Sequence, residues 1–170
     1  LVVSYSPGWG PEVDYHLHVH AAKAALAAAR KAGVNRIIQL GGAGSLYVGP
    51  GKQLVDTPEF PTDWREGASA QRDALEVYKQ ETELDWTFFS PAIMIGPGER
   101  TGKFRLGTEN PVFEEKGESN ISYDDYAVAL LDELEKPQAA GKPVDTINQV
   151  KRVDNYNNGE IGKQEAEHFR

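Results

Sequence analysis

The residues best suited to chemistry form a run of small side chains after an apolar stretch, Gly41-Gly42-Ala43-Gly44-Ser45. At the end of a strand, such a turn lets a ligand approach the backbone closely, and Ser45 adds a hydroxyl at the same edge. The glycines could equally serve a tight turn that needs positive φ angles. Because short glycine motifs are weak signals, this turn alone leaves both interpretations open.

Two further apolar runs end in similar small-residue turns, Ser4-Tyr5-Ser6-Pro7-Gly8 and Ser90-Pro91-Ala92. If the three runs are parallel strands, their carboxyl ends share one crevice, which is where open α/β sheets bind ligands. The alternative is that strand ends are generally polar and rich in turn formers. We predict a small-molecule site lined by Ser4, Tyr5, Ser6, Gly41, Gly42, Ala43, Gly44, Ser45, Ser90, Pro91 and Ala92.

A second candidate for chemistry is the histidine cluster His16-Leu17-His18-Val19-His20. On a helix, His16 and His20 would lie one turn apart and could chelate a metal ion. No acidic residue stands at the spacing of a zinc-binding helix signature, so we predict surface histidines and no metal site.

The elements that position these residues follow a strand–helix–strand pattern. Strands are predicted at Leu1-Val2-Val3, at Arg36-Ile37-Ile38-Gln39-Leu40 and from Trp86 to Ser90. A helix is predicted from the N-cap Asp14 to about Ala32, with Gly33 as the residue that ends it. Repeated units of this kind predict an α/β fold, a partial Rossmann-like parallel sheet with flanking helices.

The connections are less regular. Residues 46–63 are predicted to form a long loop, a functional lid or mobile segment, because three prolines interrupt it. A helix is expected from about Gly67 to Thr82, and residues 93–121 are expected to be irregular. The helix face is predicted to comprise Ala70, Ala74, Val77 and Tyr78.

The last predicted helix follows the capping box Ser122-Tyr123-Asp124-Asp125 and ends before Pro137. Its apolar face is predicted at Ala127, Leu130, Leu131 and Leu134, which repeat at helical spacing. Beyond it, apolar residues become sparse. We therefore divide the chain into a Rossmann-like α/β domain at 1–137 and a divergent polar tail at 138–170.

Composition narrows the function classes. The chain has 170 residues, 39% hydrophobic, and a net charge of −8, which argues against a nucleic-acid partner. No apolar run is long enough to cross a membrane, so no membrane partner is expected. The absence of cysteine excludes disulfides and thiolate sites and fits a reducing, cytoplasmic compartment. The start at Leu1 leads us to expect a fragment or a processed chain.

Several segments together resemble the atypical short-chain dehydrogenase/reductase group that contains the NmrA-like and NADH–flavin reductase-like proteins. The resemblance covers about residues 1–137 and implies a Rossmann fold, NADP or NAD as cofactor, and a flavin as a substrate. The segments that carry it are Ser6-Pro7-Gly8, Ala32-Gly33-Val34 with Arg36, Gly41-Gly42-Ala43-Gly44-Ser45-Leu46, Leu54-Val55-Asp56-Thr57-Pro58, Arg72-Asp73-Ala74-Leu75, Asp85-Trp86-Thr87, Ser90-Pro91-Ala92, Pro97-Gly98-Glu99-Arg100-Thr101-Gly102 and Ile121-Ser122.

The chain also departs from the group's pattern. The Gly-rich G-x-x-G-x-x-G turn and the strand before it have no counterpart here, although those parts normally hold the cofactor pyrophosphate. The superfamily's Tyr-x-x-x-Lys pattern aligns with Ala68 at the tyrosine position and Arg72 at the lysine position. Ala68 cannot donate a proton. Arg72 could hold a ribose or phosphate oxygen, or be a solvated helix charge.

The resemblance therefore implies NAD(P)H-dependent hydride transfer to a flavin, a quinone or a similar small acceptor, with no catalytic residue assigned. Ser45 and the backbone beyond Ser90 would orient the nicotinamide, and Tyr5 or Tyr47 would line the pocket. Two alternatives stay open. One is a non-catalytic, regulatory dinucleotide-binding module. The other is a truncated domain without cofactor that forms a homo-oligomer through its exposed first strand.

Overall fold

The computed structural model describes residues 2–4, 10, 12–114, 117–137 and 150–152. The strands are β1 (Val2–Ser4), β2 (Arg36–Leu40), β3 (Tyr47–Gly49), β4 (Lys52–Gln53), β5 (Asp85–Phe89), β6 (Met94–Gly96), β7 (Phe104–Leu106), β8 (Asn120–Ser122) and β9 (Val150–Arg152). The α-helices are α1 (Leu17–Lys31), α2 (Thr62–Lys79) and α3 (Tyr123–Glu135).

The centre of the fold is a parallel sheet in the order β1-β2-β5. In its register, Val3 pairs with Ile38, which in turn pairs with Thr87. The three predicted strands therefore lie side by side with their carboxyl ends at one edge. The α/β class and the parallel sheet with flanking helices are confirmed.

Both faces of the sheet are covered, which explains why β2 and β5 carry apolar residues on both faces, such as Ile37 and Ile38. On one face, Ile37 and Phe88 pack against Leu26 of α1 and Tyr78 of α2. On the other, residues of β2 and β5 pack against β8 and α3. The buried residues of that second cluster are Ile38, Phe89, Ala92, Ile121 and Ala129.

Helix α1 begins later than predicted. Its first residue is Leu17, and the Asp14 carboxylate accepts a hydrogen bond from the His16 backbone N–H at 3.1 Å, within the turn before the helix. The predicted N-cap at Asp14 is therefore wrong. The predicted end is right, because Gly33 has a φ of +66° directly after the last turn.

Helix α2 is displaced toward the N-terminus relative to its prediction. It begins at Thr62, right after Pro61, and ends at Lys79 rather than Thr82. The preceding segment is also more ordered than predicted, because β3 and β4 form an antiparallel hairpin within the expected loop 46–63. The helix buries Gly67, Ala68, Ala74, Leu75 and Tyr78, so the predicted face missed its N-terminal part.

Helix α3 begins with half of the predicted capping box. Ser122 Oγ accepts from the Asp125 backbone N–H at 3.1 Å. The Asp125 carboxylate turns away and accepts from the N–H groups of Thr101 and Gly102, at 2.8 and 2.7 Å, and from the Thr101 hydroxyl. The buried acid therefore anchors the loop before β7 to the start of α3.

The predicted apolar face of α3 is partly wrong. Ala127 and Leu131 are exposed, Leu131 by 53%, while Leu130 and Leu134 pack on the sheet. The buried residues of α3 include the acidic Glu133 as well as Ala129. Glu133 can be buried because its carboxylate pairs with Arg36 of β2 at 2.6 Å. An ion pair thus occupies a buried position that the predicted apolar face does not include.

The region expected to be irregular, 93–121, contains three short strands. β6 and β8 pair in parallel, and β7 pairs antiparallel with β9. Apart from β9, residues 138–170 lie outside the described residues, so their assignment as a polar tail stays a prediction. Within the described part, each helix is too short or too polar to cross a lipid bilayer.

Candidate functional site

A crevice of about 250 Å³ opens at the carboxyl ends of β2 and β5. The turn after β2 forms one wall, with Gly41, Gly42, Ala43 and Gly44. The chain after β5 forms the opposite wall, with Pro91, Ile93 and Ile95. The remaining lining comes from the segment before α2 and from α2 itself, with Leu54, Phe60, Ala68 and Gln71. The switch from strands to small-residue turns therefore creates a concave, mostly apolar space, as the sequence predicts.

The turn after β2 is fixed by its own hydrogen bonds. The Gly41 N–H donates to the Phe89 carbonyl at 2.9 Å, which extends the β2–β5 ladder by one residue. Ser45 is 2% exposed, and its hydroxyl donates to the Gly42 carbonyl at 3.0 Å. The predicted ligand hydroxyl of Ser45 is thus engaged in holding the turn, outside the described crevice lining.

The glycines of this turn are explained by packing. Positive φ angles occur at other glycines of the described chain but not at Gly41, Gly42 or Gly44, so the explanation by turn conformation is wrong here. A Cβ on Gly41 would lie 2.1 Å from the Phe88 ring. A Cβ on Gly44 would lie 2.8 Å from the Ala68 Cβ. The absence of side chains lets α2 and β5 close on the turn and leaves its backbone as the crevice wall.

Ser90 lies at the base of this arrangement and is fully buried. Its Oγ has no hydrogen-bond partner within the described part of the chain and sits 2.8 Å from the Cβ position of Gly41. A buried hydroxyl without a partner costs folding free energy, about 1–3 kcal/mol. Of the two residues that follow, Pro91 lines the crevice, whereas Ala92 packs into the core beside α3.

The end of β5 is held rigidly by α3. The Tyr126 hydroxyl donates to the Phe89 carbonyl at 2.6 Å, so this carbonyl accepts from both Tyr126 and Gly41. Burial raises the pKa of Tyr126 well above its ordinary value, which keeps the hydroxyl protonated as a donor. The position of Ser90 is therefore determined by bonds on both sides of the strand end.

Helix α2 supplies a residue that sequence reasoning missed. Gln71 lines the crevice together with Ala68, three residues earlier on the same helical face. Arg72, the predicted oxyanion ligand, instead bonds Asp56 at 2.9 Å and Asp73 at 3.3 Å. The structure does not bring Arg72 to the crevice wall. The spacing of three residues from Ala68 is the signal that identifies Gln71.

The N-terminal part of the predicted site is only partly described. Ser4 ends β1 and pairs in register with Gln39, one residue before the end of β2. Tyr5 and Ser6 lie outside the described residues. The backbone of Ser4 therefore stands at the same edge of the sheet as the other strand ends.

A larger cavity of about 890 Å³, the hairpin cleft, adjoins the crevice. Leu54 and Ile93 line both cavities, so the two spaces meet at these side chains. The cleft lies between the β3–β4 hairpin and residues 109–113. Two hydrogen bonds join these walls: Tyr47 N–H donates to the Glu109 carbonyl at 2.8 Å, and the Asn110 side-chain amide donates to the Tyr47 carbonyl at 2.7 Å.

The histidines lie elsewhere. His16 and His20 border a groove between α1 and α2, beside Lys23, Glu66 and Asp73. His18 is 2% exposed and contacts Tyr15, so the prediction that these histidines are on the surface is wrong for His18. In the described ranges no three His, Asp or Glu side chains cluster as metal ligands would.

Comparisons with known proteins match this geometry. A family model described as NAD(P)H-binding matches residues 2–137. The structure also resembles three solved proteins. One, from Burkholderia pseudomallei and named as a candidate exported protein, is 49% identical, with a TM-score of 0.72 over 80% of this chain and 66% of that one.

The second solved protein is SP1627, a candidate NADH-flavin reductase from Streptococcus pneumoniae. It is 33% identical, with a TM-score of 0.69 over 87% of this chain and 69% of that one. The third, a candidate epimerase from Bacteroides thetaiotaomicron, is 35% identical, with a TM-score of 0.75 over 91% of this chain and 68% of that one. The chain thus spans slightly less than two thirds of the first of these proteins.

Proposed function

The chain belongs to the NAD(P)H-binding family, whose model covers residues 2–137, and from this premise we propose that its crevice holds the nicotinamide end of NADH or NADPH. The protein would then be a reductase that passes hydride to a small acceptor such as a flavin or a quinone. The observation that carries the proposal is the mostly apolar crevice at the carboxyl ends of β2 and β5, beside which the fully buried Ser90 hydroxyl has no partner in the described chain.

The described residues fit this cofactor fragment. A nicotinamide has an apolar ring and a carboxamide that both donates and accepts hydrogen bonds. The apolar walls at Ala43, Pro91 and Ile93 suit the ring, and the Gln71 side chain suits the carboxamide. The Ser90 hydroxyl lies next to Gly41, outside the described lining, and would gain a partner if the carboxamide reached past the Gly41 backbone. When bound, the nicotinamide supplies the hydride, and the protein's contribution is to orient it and exclude water.

The crevice lining also fits a reaction without a protein acid. Among its described residues none has an ionisable side chain, and Ala68 occupies the position where the superfamily carries tyrosine. Hydride transfer to a flavin or a quinone needs ring alignment, and solvent can supply the accompanying proton. This supports such acceptors over a simple ketone, whose reduction benefits from a positioned acid.

The proposal is tested by titrating NADH and NADPH into the chain while recording tryptophan and nicotinamide fluorescence. Saturable binding of either cofactor is expected, and Ser90→Ala should weaken it about fivefold, the equivalent of one hydrogen bond. Ser90→Ala should also raise the free energy of unfolding by about 1–3 kcal/mol, because it removes a buried hydroxyl that has no partner in the described chain.

Thr87→Val is the matched control. Thr87 also carries a buried hydroxyl without a partner in the described chain, but it lies in the middle of β5 rather than at its end. Both variants should leave the fold intact, and only Ser90→Ala should weaken the cofactor. The absence of binding at millimolar NADH and NADPH, or equal losses in both variants, would contradict the proposal.

The crevice without an ionisable residue also favours a second function, a regulatory module that binds the dinucleotide without turnover. Turnover of NAD(P)H in the presence of a quinone separates the two, because a regulatory module would bind the cofactor and leave it unoxidised.

A third proposal rests on β1, which lies at an edge of the described three-stranded sheet. Its pairing with a second copy would appear as a dimer in light scattering.

A further inference from the structure

The hairpin cleft has a charge pattern that the proposed reaction does not by itself require. Two carboxylates, Glu59 and Glu109, belong to its lining, and none of its described lining residues is Lys or Arg. The whole chain carries a net charge of −8, so the surroundings do not offset these acids. A negatively charged acceptor entering the cleft would therefore be repelled.

Cations stand close to the walls of the cleft but outside its described lining, among them Lys52 of β4. Arg105 donates to the Phe113 carbonyl at 2.8 Å, and Arg65 donates to the Thr57 carbonyl at 3.2 Å. Lys79 bonds Glu76 at 2.9 Å while it lies 5.8 Å from the centre of the Tyr47 ring. Arg105 and Arg65 keep their charges, because they bond carbonyl oxygens, but they lie outside the described lining, whose charged groups are the two carboxylates.

The rest of the cleft is suited to a flat apolar ring. Val48 and Phe113 line it and are 42% and 48% exposed, so they offer apolar surface to a ligand in the cleft. Leu54 and Ile93 continue this surface to the junction with the crevice. A ring seated against Leu54 and Ile93 would contact side chains that also line the crevice proposed for the nicotinamide.

We infer that the hairpin cleft is the acceptor site and that it selects uncharged rings, such as quinones or a flavin without phosphate, over phosphorylated flavins. This rests on the proposed function. In the reaction, a quinone gains one hydride from NAD(P)H and one proton from water and becomes a hydroquinone, while NAD(P)H becomes NAD(P)+. Glu59 and Glu109 act on the choice of acceptor and not on the hydride.

Riboflavin and FMN are matched probes, because they share one ring and differ by a phosphate. Their binding to the chain is measured by quenching of flavin fluorescence without NAD(P)H. Riboflavin is expected to bind about tenfold more tightly at low ionic strength, since each carboxylate about 6 Å from a charge contributes about threefold. Salt should narrow the difference. Equal or tighter binding of FMN, or no binding of riboflavin, would overturn the inference.

Charge variants test whether Glu59 and Glu109 cause the preference for riboflavin over FMN. The double variant Glu59→Gln/Glu109→Gln should bring the affinities of FMN and riboflavin to within about threefold, whereas Glu135→Gln, at the end of α3 and outside the cleft lining, should leave their ratio unchanged. A similar shift in both variants would assign the preference to net charge and overturn the inference. NAD(P)H titrations are independent of these measurements, so failure of cofactor binding contradicts the proposed function and loss of the riboflavin preference contradicts the acceptor class.

Discussion

The crevice and the hairpin cleft share two side chains, Leu54 and Ile93, and yet are built in opposite ways. In the crevice, a single methyl group on Gly41 would lie 2.1 Å from the Phe88 ring. In the cleft, a Cβ on Gly49 would have no heavy atom within 4 Å. One cavity is bounded by closely packed sheet and helix, and the other by a hairpin and a loop with open space around them.

This difference suits the two partners of the hydride transfer that we propose. The cofactor end must be held in one position, because small displacements of reacting atoms cost rate. A wall formed by strand ends, with Phe89 bonded from two sides, provides that rigidity. The acceptor can vary, and a hairpin joined to its opposite wall by Tyr47 and Asn110 can adjust to different rings.

The largest expected effect of substitution is in the crevice. Gly41→Ala should lower the free energy of unfolding by about 1–3 kcal/mol, because the added methyl overpacks against the Phe88 ring. Urea denaturation measures the loss. The matched change in the cleft, Gly49→Ala, meets open space at an unstrained φ and should stay within about 0.5 kcal/mol of wild type. Equal losses would remove the contrast in packing between the two cavities.

A buried carboxylate outside both cavities, Glu81 just after α2, should differ from the exposed carboxylate Glu59 of the cleft in its effect on stability. Glu81 is buried and would have a raised pKa from burial alone, but bonds from the backbone N–H groups of Glu83 and Leu84 and from Arg30 outweigh this and lower its pKa. The stability that it contributes is therefore present above the unfolded-state pKa of about 4.3 and is lost as the pH falls through the lower folded-state value.

Glu81→Gln should lower the unfolding free energy at pH 7 by about 1.5–3 kcal/mol, the usual worth of hydrogen bonds to a charged group. The difference from wild type should shrink in acid, because the wild-type carboxyl is then protonated. Denaturation at several pH values measures this. Glu59→Gln, an exposed acid of the cleft, is the control and should leave stability nearly unchanged at each pH. If the difference in unfolding free energy between Glu81→Gln and wild type stayed constant down to pH 3, the pKa of Glu81 would not be lowered by folding.

The sheet was predictable because its signal is local. Runs such as Arg36–Leu40 are apolar on both faces, and only strands covered on both sides need that composition. The hairpin at β3 and β4 was not predictable, since its strands have three and two residues and depend on contacts with residues 109–113. The partly wrong face of α3 has the same cause, because Glu133 is buried by pairing with Arg36, 97 residues away.

The crevice was predicted through the strand ends, but the function of its residues was not. Small residues at a strand end indicate that a ligand or another part of the protein packs closely against the backbone. At Gly41 and Gly44 the close neighbours are the Phe88 and Ala68 side chains. Arg72 is absent from the described crevice lining for a related reason. Its helical position was predicted, but its charge is neutralised by Asp56, in a turn whose location depends on the tertiary fold.

A smaller effect on stability and binding should distinguish the rigid wall of the crevice from the adjustable wall of the hairpin cleft. Tyr126→Phe removes the hydroxyl that donates to the Phe89 carbonyl, and this carbonyl keeps its bond from the Gly41 N–H. Because no buried acceptor is left unsatisfied, the unfolding free energy should fall by only about 1 kcal/mol, the net worth of one hydrogen bond. Thermal denaturation measures the loss, and Tyr123→Phe, whose side chain is exposed, should show none.

If the end of β5 sets the position of Ser90, Tyr126→Phe should also weaken NAD(P)H binding, while the ratio of riboflavin to FMN affinity stays constant. A change in that ratio instead would mean that the two cavities are mechanically coupled, and the division into a rigid and an adjustable half would fail.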